Sequence, residues 1–527
     1  MAYAVNPILP GFNPDPSIIR VDRDYYIATS TFEWFPGVQL HHSTDLIHWE
    51  VISHPLGSVQ LNMSGNPNSG GVWAPCLSFD NGIYYLIFTD VKSYNGIFKD
   101  THNYLVTAKD IMGPWSEPVY LNSSGFDPSL FHDGDGRKWL LNMLWDYRSW
   151  KNPFGGILLQ EYSVKERKLI GEPSLIFRGT PLGFTEGPHL YKKNGFYYLI
   201  TAEGGTSYPH AVTLARSTSI YGPYEVFPEN PVLTSRGFPE SVLQKAGHAS
   251  LAEGHDGSWY LVHLCGRPVG PDRRCILGRE TCIEKVIWKD GWLRLASGGN
   301  SPCTLVEIEG SGAETSSKPR YFRDDFEGST WNINLQSLRI PLGRRGSLQE
   351  RFGYLRLYGR ESLSSLHEQS LLACRQQDFR VRVSTKLEFH PVNFQQTAGL
   401  VYYYDTISHY YLYITNDEVN GRVLTILYNQ LGKQSQPIGM GTTLPGEGPV
   451  WLALAADGET ARFSYSLDGE NFQNIGAALD AAVLSDDYYT NIQESRFTGA
   501  FIGICCQDMS GRGAYADFDY FEYRSLE

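Results

Sequence analysis

The residues of this 527-residue chain that could do chemistry are three carboxylic acids and a histidine at equivalent points of a repeated segment. Asp15, Asp127, Glu186 and His248 open four copies of the segment, and Trp73-Ala74 hold the same point in a fifth copy. Two carboxyl groups can hydrolyse a glycosidic bond, one as acid and the other as base. Oxygen ligands also suit Ca²⁺, so a metal site is the alternative, although this set of residues lacks a D-x-D-type calcium loop.

The repeated segments predict the elements that must position these side chains. Each copy reads as two short strands around a tight turn, and Asn-Gly or Asp-Gly between apolar runs is a strong hairpin signal. The copies are DPSIIRVDRDYYIATS, APCLSFDNGIYYLIFT, DPSLFHDGDGRKWLLNM, EGPHLYKKNGFYYLIT and HASLAEGHDGSWYLVHL.

A second repeat falls between the copies of the first. It covers residues 41–50, 106–117 and 214–225, with weaker similarity at 160–177 and 278–296, and it predicts an outer hairpin for each unit. Four strands per unit at a spacing of 53–62 residues are typical of a β-propeller blade. Five blades would cover about residues 5–300, and a generic series of β-meanders explains five copies in register less well.

In a propeller the innermost strands surround a central channel, so their first residues should crowd around one mouth. The alternative for Asp15 and Asp127 is a structural one, because aspartate often caps Asp-Pro turns. Burying three carboxyls together costs electrostatic energy, and active sites are where that cost is usually found.

Aromatic rings stack on sugar faces, and several lie in or beside the repeat. They are Phe32, Trp34, Trp73 and Trp145.

The pattern changes after residues 304–320, which are rich in Ser, Gly, Thr and Glu and indicate a linker. Alternating strands at regular spacing follow, and they predict a two-sheet sandwich of roughly 200 residues. We therefore expect an all-β chain: a propeller over residues 1–305, a linker over 306–320 and a β-sandwich over 321–527. The sequence predicts no long helix.

Charge and composition exclude several classes of function. The 44 Lys and Arg against 57 Asp and Glu give a net charge of −13 without a basic run, which argues against nucleic acid or an anionic membrane as partner. The N-terminal MAYAVNPILPGFNPDPS has no basic or apolar signal region, so we expect a cytoplasmic protein. The eight cysteines show no CxxC, and we expect free thiols.

Longer motifs carry a resemblance to a known family. The strings NPDPSIIR, YYIATSTFEWFPGVQLHHS, GGVWAPCL, FDPSLFHD, FTEGPHLY, GHASL and LGRET resemble glycoside hydrolase family 43. They are most similar to its two-domain branch of β-xylosidases, often with α-L-arabinofuranosidase activity. The resemblance covers nearly the whole chain and implies a five-bladed propeller followed by a concanavalin-like β-sandwich.

The resemblance also implies roles for the acidic residues. Asp15 would be the general base, Glu186 the general acid, and Asp127 the carboxylate that orients Glu186 and raises its pKa. Inversion of the anomeric carbon would follow, with base and acid about 6.5–9.5 Å apart to leave room for water. His248 would organise the base and the sugar, and Arg279 would bind sugar hydroxyls.

The remaining expectations concern substrate and assembly. Phe32 and Trp73 would wall the site of the non-reducing sugar, Trp145 would lie on the leaving-group side, and a sandwich loop near 507–513 would help to close the pocket. We expect exo cleavage of xylo-oligosaccharides, no cofactor and no metal at the site, and either a homodimer or a homotetramer. A dedicated α-L-arabinofuranosidase and a non-catalytic sugar-binding propeller are the alternatives.

Overall fold

The computed structural model describes residues 2–309, 319–490 and 495–527. Its contacts divide the chain into two compact units, Met1–Arg267 with Arg279–Ser316 and Pro268–Gly278 with Ser317–Glu527. The predicted linker lies largely outside the described residues, so its bounds stay a prediction. In the described ranges the helices are short, and none is long and apolar enough to cross a membrane. They are Gly343–Arg345, Ala481–Val483 and Asp486–Tyr489.

The first unit contains five antiparallel sheets, here called blades 1 to 5 in chain order. Blade 1 comprises Ser17–Val21, Asp24–Thr29, Gln39–Ser43 and Glu50–Ser53. Blade 2 comprises Gly71–Asp80, Ile83–Ser93, Asp100–Ala108 and Val119–Asn122. Blade 3 comprises Ser129–His132, Lys138–Trp145, Phe154–Ser163 and Lys168–Phe177.

Blades 4 and 5 complete the set. Blade 4 comprises Glu186–Lys193, Phe196–Glu203, Ala211–Ser217 and Glu225–Val226, with Leu233–Thr234 also paired to its third strand. Blade 5 comprises Gln244–Glu253, Trp259–Gly266, Glu280–Lys289 and Trp292–Leu295. Outside the blades, Ala2–Val5 pairs with Leu305–Ile308, and Trp34–Phe35 forms a further short strand.

The first strands of consecutive blades contact one another around a closed ring, blade 5 against blade 1 included. Small polar side chains link neighbouring blades at this ring. The Leu77 N–H donates to Ser17 Oγ at 3.0 Å, and the Ile18 N–H donates to Ser250 Oγ at 2.9 Å. Ser129 Oγ donates to the Pro188 carbonyl at 2.5 Å. The five-bladed propeller predicted from the repeats is therefore confirmed.

The hairpin turns follow the residue types that predicted them. Asn81 and Gly82 both have positive φ, 50° and 76°, as a two-residue turn between twisted strands requires. Asp80 and Ile83 on either side are paired in the ladder. Apolar clusters then fill the spaces between neighbouring blades. The cluster between blades 5 and 1, for example, contains Ile18, Ile27, Tyr260, Val262, Val306 and Ile308.

The second unit consists of two antiparallel sheets that share one core. The first sheet contains Gly346–Ser347, Leu355–Tyr358, Tyr515–Ser525, Arg380–Phe389, Val450–Asp457, Thr460–Ser466 and Gln473–Asp480, with Tyr321–Asp324 beside Tyr515–Ser525. The second contains Ser370–Arg375, Phe501–Asp508, Gln396–Asp405, Ser408–Asp417, Gly421–Gln430 and Lys433–Ser435, with Thr442–Thr443 beside Gly421–Gln430. Ser337–Leu338 is a further short strand.

Side chains that alternate between the two faces of each strand build the core of the second unit. Val381 and Val383 of the first sheet and Leu400 and Tyr402 of the second are buried in one cluster. This arrangement confirms the predicted sandwich.

All eight cysteines of the chain are free thiols.

Candidate active site

Near the start of each of the five inner strands lies one residue with a left-handed backbone at the position that the repeat aligns. Such a backbone is uncommon outside glycine, costs of order 1–3 kcal/mol per residue and is found preferentially at functional sites. Four of the five residues here are not glycine. The residues are Asp15 (φ 56°), Ala74 (37°), Asp127 (54°), Gly187 (55°) and His248 (46°).

The shared left-handed backbone shows which residues are equivalent in the five blades. Gly187 is the counterpart of Asp15 and Asp127, whereas Glu186 occupies the preceding position, which Trp73 and Phe126 hold in blades 2 and 3. The acid therefore starts from a different backbone position than the other two carboxyls. The sequence repeat alone did not separate the two residues of the pair Glu186-Gly187.

Asp15 lies in a buried polar environment and is 5% exposed. Ser30 Oγ donates a hydrogen bond of 2.6 Å to Oδ2. Arg279 Nη1 lies 3.5 Å from Oδ1, and His248 Nδ1 lies 3.8 Å from the same oxygen. Asp15 thus has both a hydroxyl donor and a cation beside it.

Ser30 was not predicted as a site residue. Besides its bond to Asp15, its Oγ accepts a 2.8 Å hydrogen bond from the Ala74 N–H, which ties the end of one hairpin of blade 1 to the inner strand of blade 2. Ser30 stands within the string YYIATSTFEWFPGVQLHHS, but a serine in a strand-to-loop segment carries no signal that separates it from its neighbours.

Asp127 and Glu186 form a pair of acids with raised pKa values. Burial raises the pKa of Asp127 to about 6; the charge of Asp15 adds to this rise, while His248 opposes it. Burial and then the charges of Asp127 and Asp15 raise the pKa of Glu186 well above its ordinary value, against the opposing charge of Arg279. The surroundings therefore favour a proton on Glu186 more strongly than on an ordinary glutamate.

Aromatic rings line one side of the acidic cluster. The Phe32 and Trp73 rings lie 5.8 Å apart, and the Trp73 and Phe126 rings meet edge to face at 5.5 Å. The Arg279 guanidinium lies 5.2 Å from the centre of the Phe32 ring. The structure thus brings Phe32, Trp73 and Arg279 together, as predicted, and adds Phe126, the residue directly before Asp127.

Trp145 lies one step further out along the same aromatic row. Its ring is 6.5 Å from Phe126 and 5.6 Å from Phe154. Lys99 Nζ lies 4.3 Å from the centre of the Trp145 ring, and the indole N–H donates to the Ile97 carbonyl at 2.9 Å. Phe126 thus separates Trp145 from Trp73, and the place of Trp145 beside the leaving group stays a prediction.

Arg279 has a second polar neighbour that the sequence analysis missed. Its Nη1 donates to Thr206 Oγ1 at 3.0 Å, and Thr206 belongs to the loop between the second and third strands of blade 4. This contact joins residues that are 73 positions apart in sequence, and no short motif predicts it.

The arrangement can perform acid–base hydrolysis of a glycosidic bond. It supplies one carboxyl with donors (Asp15), one carboxyl with a raised pKa (Glu186) and an aromatic wall suited to sugar rings. Within residues 2–309, 319–490 and 495–527, no group of three or more His, Cys, Asp or Glu side chains is placed to hold a metal ion.

Comparisons with known proteins agree with this chemistry. The model of Glycosyl hydrolases family 43 matches residues 4–293, and that of the Beta xylosidase C-terminal Concanavalin A-like domain matches residues 323–524. A Beta-xylosidase of Bacillus subtilis (strain 168) is 52% identical, covering 98% of this chain and 99% of the relative. Xylosidase/arabinosidase 43B of Humicola insolens is 49% identical, covering 100% of this chain and 98% of the relative.

A solved structure extends the agreement to the whole fold. The crystal structure of xylan beta-1,4-xylosidase from Bacillus halodurans C-125 superposes with a TM-score of 0.96 at 54% identity, covering 99% of this chain and 100% of that one. The sandwich is thus of the concanavalin-like type, as expected. From its matched domains, its full-length relatives and the acidic cluster at its propeller mouth, the chain belongs to glycosyl hydrolase family 43 and is a glycoside hydrolase.

Proposed function

We propose that the protein is an exo-acting, inverting β-xylosidase that releases xylose from the non-reducing end of β-1,4-xylo-oligosaccharides, with α-L-arabinofuranosidase side activity. The observation that carries the proposal is that Asp15 and Glu186 belong to one acidic cluster, in which Ser30 donates to Asp15 while burial and the charges of Asp127 and Asp15 raise the pKa of Glu186. The names of the relatives, a Beta-xylosidase and a Xylosidase/arabinosidase, support the choice of sugar.

The proposed reaction is a single displacement. Asp15 accepts a proton from a water molecule as its oxygen bonds to the anomeric carbon of the terminal xylose. The bond from that carbon to the glycosidic oxygen breaks, and Glu186 gives its proton to the departing oxygen. The products are α-xylose, with the anomeric configuration inverted, and an oligosaccharide shortened by one sugar.

Asp127 has no proton to transfer in this scheme. With burial, its charge raises the pKa of Glu186, and its hydrogen bond from the Gly187 N–H fixes the backbone beside the acid. His248 and Arg279 hold Asp15, and the rings of Phe32 and Trp73 give the terminal sugar a wall to pack on.

The second candidate is a dedicated α-L-arabinofuranosidase, since β-D-xylopyranose and α-L-arabinofuranose can present similar hydroxyls to one site. The name of the Humicola insolens relative, which pairs both activities, favours keeping it. A homodimer or homotetramer belongs to the same proposal, and light scattering during gel filtration tests it.

The experiment is to follow xylotriose hydrolysis by proton NMR and to compare kcat/KM for nitrophenyl β-xyloside and nitrophenyl α-L-arabinofuranoside. We expect α-xylose as the first-formed anomer, xylobiose as the co-product and a higher kcat/KM for the xyloside. β-Xylose as the first product would contradict inversion. A higher kcat/KM for the arabinofuranoside would select the second candidate.

A further inference from the structure

Glu203 is a fully buried carboxyl group that the proposed mechanism does not use. It ends the second strand of blade 4 and is 0% exposed. The residue before it, Ala202, is paired with Glu186 across the sheet. A buried carboxylate without donors is strongly destabilising, so its partners indicate what it is for.

The partners of Glu203 are threonines, two of which belong to the loop that leads into Glu186. The Thr180 N–H donates to Oε1 at 2.9 Å, and the Thr180 hydroxyl donates to Oε2. Thr185 Oγ1 donates to Oε1 at 3.1 Å. Thr185 is itself 2% exposed and immediately precedes Glu186. Both ends of the segment 180–185 are thus held by one carboxylate.

The loop is closed tightly around this carboxylate. The Gly183 N–H donates to the Thr180 carbonyl at 3.1 Å, and the Gly204 N–H donates to the Gly183 carbonyl at 2.8 Å. Gly179 has φ +89°, and a Cβ there would lie 1.9 Å from Thr185 Oγ1 and 3.2 Å from Glu203 Oε1. The backbone that enters Glu186 therefore has little freedom to move away from Glu203.

We propose that Glu203 is a positioning residue for the general acid. Its carboxylate clamps Thr180 and Thr185 against the end of the second strand of blade 4, and this clamp sets the direction in which the Glu186 side chain leaves the backbone. The proposal rests on the proposed role of Glu186 as the acid.

The clamp acts on Glu186 through position rather than charge. The charges that act most on Glu186 are those of Asp127, Asp15 and Arg279. Burial raises the pKa of Glu203, and the hydrogen bonds from its threonine partners oppose that rise. Replacement by glutamine keeps the shape but removes the charge and turns one acceptor oxygen into an NH₂ group. The hydroxyl that donated to that oxygen must then turn to accept, and the charge-assisted hydrogen bonds that hold the loop weaken.

The test compares Glu203→Gln with the unsubstituted protein on xylobiose and on 2,4-dinitrophenyl β-xyloside. Xylobiose needs protonation of its leaving group, whereas dinitrophenolate leaves without help. A misplaced acid should lower kcat on xylobiose by about 10- to 100-fold, because small displacements of a catalytic group can lower the rate that far. The dinitrophenyl substrate should keep its kcat within about threefold.

If Glu203→Gln does not fold, two smaller substitutions at Thr185 test the proposal instead. Thr185→Val removes the hydroxyl that bonds Glu203, and Thr185→Ser keeps it. We expect Thr185→Val to lower kcat on xylobiose selectively and Thr185→Ser to restore it.

Glu284→Gln is the matched control, since Glu284 is an equally buried carboxyl (1% exposed) of blade 5 that accepts from the Cys303 N–H. It should lower the thermal midpoint and leave the ratio of the two substrates unchanged. An equal loss of kcat on both substrates in Glu203→Gln, or no loss, would overturn the proposal.

Glu186→Ala on the same two substrates separates this inference from the proposed function. If that variant loses xylobiose activity selectively and the Glu203 and Thr185 variants do not, only the clamp is wrong. If Glu186→Ala loses both activities equally, the acid assignment itself fails.

Discussion

The backbone N–H of Gly187 donates a 3.0 Å hydrogen bond to Oδ2 of Asp127. The residue that follows the acid in sequence is therefore tied to the carboxylate whose charge raises the pKa of that acid. Because Gly187 is the blade 4 counterpart of Asp127, the bond joins equivalent points of adjacent blades. A single contact thus couples the geometry of Glu186 to its protonation.

Gly187→Ala should damage activity more than stability. A Cβ there would lie 3.1 Å from atoms of the His248 ring and 3.3 Å from the Ala202 Cβ, and φ is +55°. We expect kcat/KM to fall at least about tenfold, because a small displacement of the catalytic groups is enough to lower the rate by that factor. The control is Gly195→Ala in the turn of the same blade, where φ is +82° and nothing lies within 4 Å of the added Cβ. It should lower the thermal midpoint slightly and leave kcat/KM unchanged; equal kinetics in both variants would contradict the expectation.

Asp127→Asn should move the alkaline limb of the pH–rate profile to lower pH. The substitution removes the negative charge that raises the pKa of Glu186, so the acid loses its proton earlier as pH rises. Each unit of displacement corresponds to about 1.4 kcal/mol of lost interaction. The measurement is kcat/KM against pH. Asp133→Asn, which removes another buried carboxyl of the same propeller, serves as control and should lower stability without moving the limb. An unmoved limb in Asp127→Asn would leave Asp127 with a structural role alone.

Glu186→Gln should raise the stability of the protein, and more so at higher pH. In the unfolded chain Glu186 ionises above about pH 4.3, whereas in the folded protein its raised pKa moves that ionisation to higher pH. Folding then binds a proton, so the unsubstituted protein loses stability as pH rises through this interval, and glutamine does not. Thermal midpoints at pH 5 and pH 8 check this. We expect the advantage of the variant to grow between them; a pH-independent difference would argue against a raised pKa.

Asp15→Ala should abolish hydrolysis of every substrate, whatever its leaving group. The base activates the water in each case, and general base catalysis is typically worth about 10²–10⁴-fold. The expected loss of kcat is therefore similar on xylobiose and on nitrophenyl β-xyloside. Turnover of the nitrophenyl substrate at near the unsubstituted rate would mean that another group is the base.

The repeats predicted the propeller because each blade carries its own local signals. Turns such as Asn81-Gly82 adopt the conformation that their residue types favour, and the period of the repeat places Asp15, Asp127 and His248 at one ring. Because these signals are local, they predicted the five blades and the gathering of the acidic residues near one ring.

The contacts that organise the site could not be predicted in the same way. Ser30, Thr206 and Glu203 act through partners that only the closed ring or the folded loop brings near. The offset between Glu186 and Gly187 depends on backbone conformation, which the repeat does not display. The loop near 507–513 and the domain bounds stay predictions.

The most direct test of the central claim is the leaving-group dependence of Glu186→Ala. We measure kcat/KM of this variant and of the unsubstituted protein on xylobiose and on 2,4-dinitrophenyl β-xyloside. If Glu186 protonates the departing oxygen, the loss should be about 10²–10⁴-fold on xylobiose and small on the dinitrophenyl substrate, whose leaving group needs no proton. An equal loss on both substrates would contradict the assignment of Glu186 as the general acid.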